Sequence, residues 1–164
     1  MLELKKQSHI LYSYISNKDK VLFCDVRRFL CLYDGLTKLL VKNRGLDTID
    51  KIFIFTSKFI HYVPDDGENW KYPHETIQIR EGDCEDMALV FNQLVLSSDI
   101  TEEVYTVHTN GHAFNLTIED GDILVYDITK GICGIDINDT NLASNINFIF
   151  NHKDCYGNYE VYRC

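Results

Sequence analysis

Residues Gly82-Asp83-Cys84-Glu85-Asp86-Met87-Ala88 decide the fold, because they open a segment that is apolar on nearly every face. Beyond Cys84, the side chains of Met87, Ala88, Phe91, Leu94 and Val95 keep helical spacing, and Leu89 and Val90 make the remaining faces apolar too. A helix of that kind has to be central and buried, and the spacing predicts it from Cys84 to about Leu96. Asp83 is placed to cap it, with Glu85 and Asp86 in its first turn complementing the helix dipole. Cys84 then lies at a helix N-terminus, where partial positive charge favours a thiolate and makes the residue a candidate nucleophile.

Downstream the hydrophobic period changes to two, which predicts strands at 104–109, 113–118, 123–128, 146–150 and 159–162. Glu119-Asp120-Gly121-Asp122 reads as a hairpin turn, since Asp-Gly tolerates the positive φ of a type I′ turn. Upstream, residues 1–62 read as helical. Val21, Cys24, Phe29, Leu32, Leu36, Leu39 and Leu40 form one stripe, ended by Asn43-Arg44-Gly45, and Cys24 and Cys31 fit it as small buried residues. A second helix is predicted over 48–62, capped by Asp47, with Ile49, Ile52, Phe53, Thr56, Phe59 and Ile60 inward. Residues 63–83, with both prolines and Trp70, read as a long loop of the functional kind. The expectation is a single α+β domain over 1–164, with helices at 1–62 and the catalytic core at 63–164.

The 164-residue length suits one core, and 45% hydrophobic content argues against disorder. A net charge of −9 argues against nucleic acid as a partner. No apolar stretch is long enough to span a bilayer, so no membrane is expected. The first residues lack the apolar run of a signal peptide, so the expected location is cytoplasmic, or outside by a non-classical route. In that setting the six cysteines are expected as thiols.

A base and an orienting acid follow from the hairpin register. With Asp120-Gly121 as the turn, Glu119 faces Asp122, Phe114 faces Asp127 and His112 faces Thr129. His112 and Asp127 then share one sheet face as diagonal neighbours, about 7 Å apart or less at Cβ. An odd shift in register would separate them to opposite faces. Cys84, His112 and Asp127 thus make the nucleophile, base and acid of a cysteine amidase, with the Cys84 N–H as an oxyanion donor. Gln78 is a second oxyanion candidate, and Trp70 a candidate for lining the pocket instead. Of the other histidines, His108 lacks an equally placed carboxylate in the sequence pattern, while His74, in the loop near Cys84, stays open as a base.

Trp70-Lys71-Tyr72-Pro73-His74-Glu75-Thr76, followed by Gly82-Asp83-Cys84-Glu85-Asp86-Met87-Ala88, resembles the motif pair of transglutaminase-like proteins. It is most similar to the bacterial transglutaminase-like cysteine proteinases and related archaeal and phage proteins. Gly111-His112-Ala113 and Tyr126-Asp127 match that superfamily's His and Asp motifs, so the likeness covers roughly residues 70–129. The resemblance implies a papain-like core, a Cys-His-Asp triad, and a protein or peptide substrate.

Three acids beside a thiol oppose its ionisation. Helix capping accounts for them, and so does a bound cation. Asp83, Glu85 and Asp86 offer hard oxygen ligands of the kind Ca²⁺ takes, although Ca²⁺ wants about 6–8 oxygens. The resemblance supports the cation, since some such proteinases depend on calcium through these acids; no other cofactor is expected. Cys133, His152, Cys155 and Cys164 are a weaker zinc set, because their spacing matches no paired knuckle. The expected activity is hydrolysis of an amide or isopeptide bond through an acyl-enzyme. The alternatives are transamidation or deamidation of glutamine by the same triad, or a catalytically silent binding module.

Overall fold

A computed structural model describes residues 29–65, 69–142 and 146–157. Its elements are α1 (Gly35–Arg44), α2 (Ile49–Phe59), β1 (His61–Tyr62), α3 (Pro73–Ile79), β2 (Glu81–Gly82), α4 (Cys84–Ser97), β3 (Val104–Thr109), β4 (His112–Glu119), β5 (Asp122–Asp127), β6 (Ile132–Asp136), a 3₁₀ turn (Ile137–Asp139), β7 (Ile146–Phe150) and β8 (Cys155–Gly157). The larger sheet is antiparallel throughout, in the order β6-β5-β4-β3-β7-β8. This is the α+β architecture the sequence predicts.

Helix α4 is buried along its whole length. Leu89, Val90, Phe91, Leu94 and Val95 pack with Ile52 and Phe53 of α2 and with Val104, Tyr126, Phe148 and Phe150 of the sheet. A second cluster, including Val107, Phe114, Leu116, Val125 and Ile149, covers the other sheet face. The hairpin forms in the predicted register, with Glu119 opposite Asp122 and Asn115 opposite Tyr126. Asp120 and Gly121 have φ of 52° and 90°, as a type I′ turn requires.

The helical reading of 1–62 is revised in several places. Val21 and Cys24 lie outside the described residues, as does the strand predicted at 159–162. Phe29 and Leu32 precede α1, which starts only after Asp34 accepts from the Leu36 N–H at 3.0 Å. Leu36 and Leu39 point outward, and Cys31 is exposed. Leu40 of the predicted stripe does pack on the core, with Val41, but the fully buried residue is Thr37, whose hydroxyl lies 2.6 Å from that of Ser97. Polar groups on the buried α4 need partners, and that need sets the rotation of α1 against the apolar stripe. Gln93 completes the seam by gripping both backbone groups of Cys31, at 2.8 and 2.7 Å.

Thr48, not Asp47, caps α2 by accepting from the Lys51 N–H, while Asp47 pairs with the Lys51 side chain. The supposed loop 63–83 contains α3 and β2, and β2 pairs in parallel with β1. Pro73 at the first helical position and Glu75, which accepts from the Tyr72 N–H at 2.8 Å, start α3. Strand β6 lacks a readable alternation because its ladder to β5 shifts between Val125 and Tyr126, and Gly134 has φ of 64° against the Tyr126 ring. Among the described residues no helix is long and apolar enough to cross a membrane.

Candidate active site

The loop that leads into Cys84 is built by close packing. A Cβ on Gly82 would lie 2.6 Å from that of Asp86, so only glycine lets β2 pass so near the first turn of α4. Asp83 then caps α4, accepting from the Asp86 N–H at 3.3 Å, and Asp86 accepts in return from the Asp83 N–H at 3.4 Å. This places Cys84 at the first helical position, buried against Ala88 and Ala113.

His112 and Asp127 meet at the neighbouring strand ends. His112 Nε2 lies 2.6 Å from Asp127 Oδ2. The acid is fully buried, whereas the imidazole keeps 19% of its surface. Asp127 also accepts from Thr129 Oγ1 at 2.9 Å and from the Lys130 N–H at 3.1 Å. Burial works against the Asp127 charge, but its hydrogen bond to His112, the charge there and the bonds from Thr129 and Lys130 hold its carboxyl below the usual range. With Nε2 engaged, Nδ1 is the ring nitrogen left for a thiol or a leaving group.

The Cys84 thiol is held elsewhere. Its Sγ donates to Glu85 Oε2 at 2.9 Å and is approached by the Ala113 N–H. Burial, and after it the hydrogen bond to and charge of Glu85, push its pKa up to about 12, so the resting thiol is neutral. Glu85 in turn faces His108 Nε2 at 3.4 Å, which gives His108 the carboxylate partner that the sequence pattern does not reveal. Burial opposes the Glu85 charge, but hydrogen bonds, led by that of His108 and followed by that of Cys84, pull its pKa down to about 2. His108 is stacked on Phe148 with a 4.9 Å centroid separation, near Trp70, and only 1% exposed. No leaving group can reach it there.

The other predicted residues separate. Trp70 packs on Phe148 and Phe150 at 6.1 and 6.0 Å and is not among the residues that line the cleft beside the site. Gln78 is exposed on α3, and His74 is exposed and stacked on Tyr72. Cys133 and Cys155 lie on β6 and β8, at opposite edges of the six-stranded sheet, so they make no zinc site with His152; Cys164 lies outside the described residues. The four described cysteines are free thiols. A cleft of about 370 Å³ opens beside the site, lined by Ile60, Tyr62, Met87, Ile128 and Thr129 with Ser57. Met87 is one turn along from Cys84, and Thr129 bonds to Asp127. Sequence reasoning missed this cleft because three separate segments, 57–62, Met87 and 128–129, build it.

Of the three predicted acids, Asp83 and Asp86 converge with Asp65 as a group that could hold a cation, but Glu85 does not join them. Glu85 is turned to the thiol and His108, while Asp65 joins Asp83 and Asp86, with one oxygen of each within 4.8 Å of the others. The Lys71 ammonium lies 2.5 Å from Asp86 Oδ2 and 4.0 Å from Asp65 Oδ2. An ammonium already engages two of these three carboxylates, which leaves few oxygens free for the about 6–8 that Ca²⁺ takes. Burial, followed by the charges of Glu85 and Asp86, raises the Asp83 pKa to about 7.

No family model and no curated protein matches the sequence. Solved structures do match the fold. Legionella pneumophila LapG aligns at a TM-score of 0.58 with 15% identity, over 94% of this chain and 87% of that one. Its EGTA-treated form gives 0.57 and 15% over 96% and 87%, and its calcium-bound form 0.53 and 18% over 94% and 87%. The buried helix that starts at Cys84, set against an antiparallel sheet, thus belongs to a fold that this chain shares with LapG.

Proposed function

We propose that this chain is a thiol-dependent hydrolase of amide or isopeptide bonds in a protein or peptide, acting through Cys84, His112 and Asp127. The observation that carries the reading is the 2.6 Å His112–Asp127 contact, which joins a fully buried acid to a partly exposed imidazole next to Ala113, the residue that packs on Cys84. A general acid has to reach the leaving amine, and His112 meets that requirement where His108 does not.

In the proposed reaction the thiol leaves Glu85 and passes its proton to His112 Nδ1. The Cys84 sulfur attacks the substrate carbonyl carbon, and the Cys84 backbone N–H, free at the start of α4, donates to the oxyanion. The carbon–nitrogen bond breaks as His112 returns the proton to the leaving amine. Asp127 holds the imidazole in one tautomer and stabilises its cation. Water, activated by His112, then cleaves the thioester and frees the thiol. An amine in place of water at that step gives transamidation. The cleft beside Met87 and Thr129 mixes apolar side chains with hydroxyls and carries no charged group, which suits an uncharged substrate side chain.

One observation favours a catalytically silent module: the resting thiol is neutral and turned to Glu85. Iodoacetamide labelling separates the two readings. Under the hydrolase reading Cys84 outpaces the buried Cys155 and loses that advantage in His112→Ala. Equal labelling of Cys84 in both proteins, with no Cys84-dependent cleavage of a peptide library, refutes the hydrolase.

A further inference from the structure

We propose that the Lys71 ammonium is the resident cation of the acid pocket behind Cys84, so that this chain fixes its nucleophile loop without a divalent metal.

Lys71 grips both oxygens of one carboxylate. Its backbone N–H donates to Asp86 Oδ1 at 2.9 Å, and its side chain folds back so that Nζ donates to Asp86 Oδ2 at 2.5 Å. Asp86 is fully buried, and a buried carboxylate needs a charged partner. The same Oδ2 accepts from the Asp83 N–H, so Lys71, Asp86 and the residue before Cys84 form one connected unit. Asp65 adds a further carboxylate to the cluster, its Oδ2 4.0 Å from Nζ.

A Ca²⁺ ion binding Asp86 Oδ2 would need a metal–oxygen distance of about 2.3–2.6 Å. The ammonium already stands at that distance from that oxygen. Both cations cannot share the position, and the lysine is tethered in place by its own backbone bond. Lys71 also removes two acceptor sites from a cluster that has too few oxygens for calcium. Its role is positioning: it touches no reacting atom and acts through Asp86 on the turn that carries Cys84. The consequence for activity rests on the reading of Cys84 as the nucleophile, whereas occupation of the pocket does not.

The test is thermal melting of the full chain in EGTA and in millimolar CaCl₂, for the parent, Lys71→Met and Lys71→Arg. The parent is expected to melt within about 1 °C in the two buffers, and Lys71→Arg likewise with a melting point near the parent's. Lys71→Met is expected to lose several degrees in EGTA and to recover part of that loss in CaCl₂, which a merely structural lysine would not produce. A parent melting point raised by CaCl₂, with the response abolished in Asp86→Asn, overturns the proposal. So does Lys71→Met that melts like the parent and ignores calcium. If Lys71→Met does not fold, calcium titration calorimetry on the parent decides: heat of binding at this pocket, absent in Asp86→Asn, refutes the proposal, and its absence upholds it. Iodoacetamide labelling of Cys84 in EGTA is read separately, so failure of the nucleophile reading leaves the melting result intact.

Discussion

Replacing Glu85 by Gln is expected to make Cys84 a faster nucleophile. The thiol donates to Glu85 Oε2 at 2.9 Å, and that carboxylate, after burial, is the main reason its pKa rises to about 12. Two unit charges about 4 Å apart at an effective dielectric near 20 interact by about 4 kcal/mol. His108 on the same carboxylate, and the dipole that Gln retains, leave about half of that as a net gain from the substitution, roughly 2 kcal/mol. That corresponds to about a thirtyfold larger thiolate fraction. Nucleophilicity falls as a thiol becomes more acidic, with a Brønsted coefficient near 0.5, so the observed rate rises only about fivefold. The assay is iodoacetamide alkylation near neutral pH, followed by mass spectrometry of the Cys84 peptide. The exposed Cys31 of the same molecule serves as the internal reference. Adding His112→Ala should remove most of the gain if the freed thiol turns to that imidazole. Labelling of Glu85→Gln at or below the parent's rate refutes the reasoning, because burial alone would then hold the thiol proton.

Asp127→Asn should cut Cys84-dependent peptide cleavage by about 10²–10⁴ through the wrong His112 tautomer, with the cleft intact by substrate affinity. The Asp127 carboxyl is depressed, so its contribution to stability is present above the ordinary carboxylate range and is lost as pH falls below that range through its lowered folded value; acid melting curves should flatten in the Asn variant. Asp83 has the opposite sign: its pKa is raised to about 7, so its contribution fades as pH rises from about 4 towards 7. Asp83→Asn, which keeps an acceptor for the cap, should therefore lose less melting temperature than the parent over that interval. Gln93→Ala removes both bonds to the Cys31 backbone and those to Thr37 and Ser97. The cost is about 2–3 kcal/mol, or roughly 5–10 °C in thermal melting, and a shift within 1 °C would show that water replaces the amide.

Local pattern was enough for a good part of this protein. The all-round apolar run after Cys84 determined a buried helix, because no exposed helix tolerates such a composition. Asp120-Gly121 determined the hairpin register, since few residue pairs accept two positive φ angles, and the register alone put His112 and Asp127 on one face. The start of α3 was also written locally, in Pro73 followed by Glu75, although a proline-bearing stretch reads more readily as loop.

Tertiary structure decided what the charges do. Sequence placed Asp83, Glu85 and Asp86 side by side, yet consecutive residues on a helix point about 100° apart and meet different neighbours. Glu85 found Cys84 and His108, while Asp86 found Lys71, fifteen residues away. The phase of α1 was settled in the same way, by Ser97 and Gln93 requiring Thr37 inward, which leaves Leu36 and Leu39 of the apolar stripe outside while Leu40 still meets the core. Hydrophobic period and turn chemistry act over a few residues and can be read along the chain. Hydrogen-bond partners of buried polar groups come from distant segments, so only the packed fold selects them.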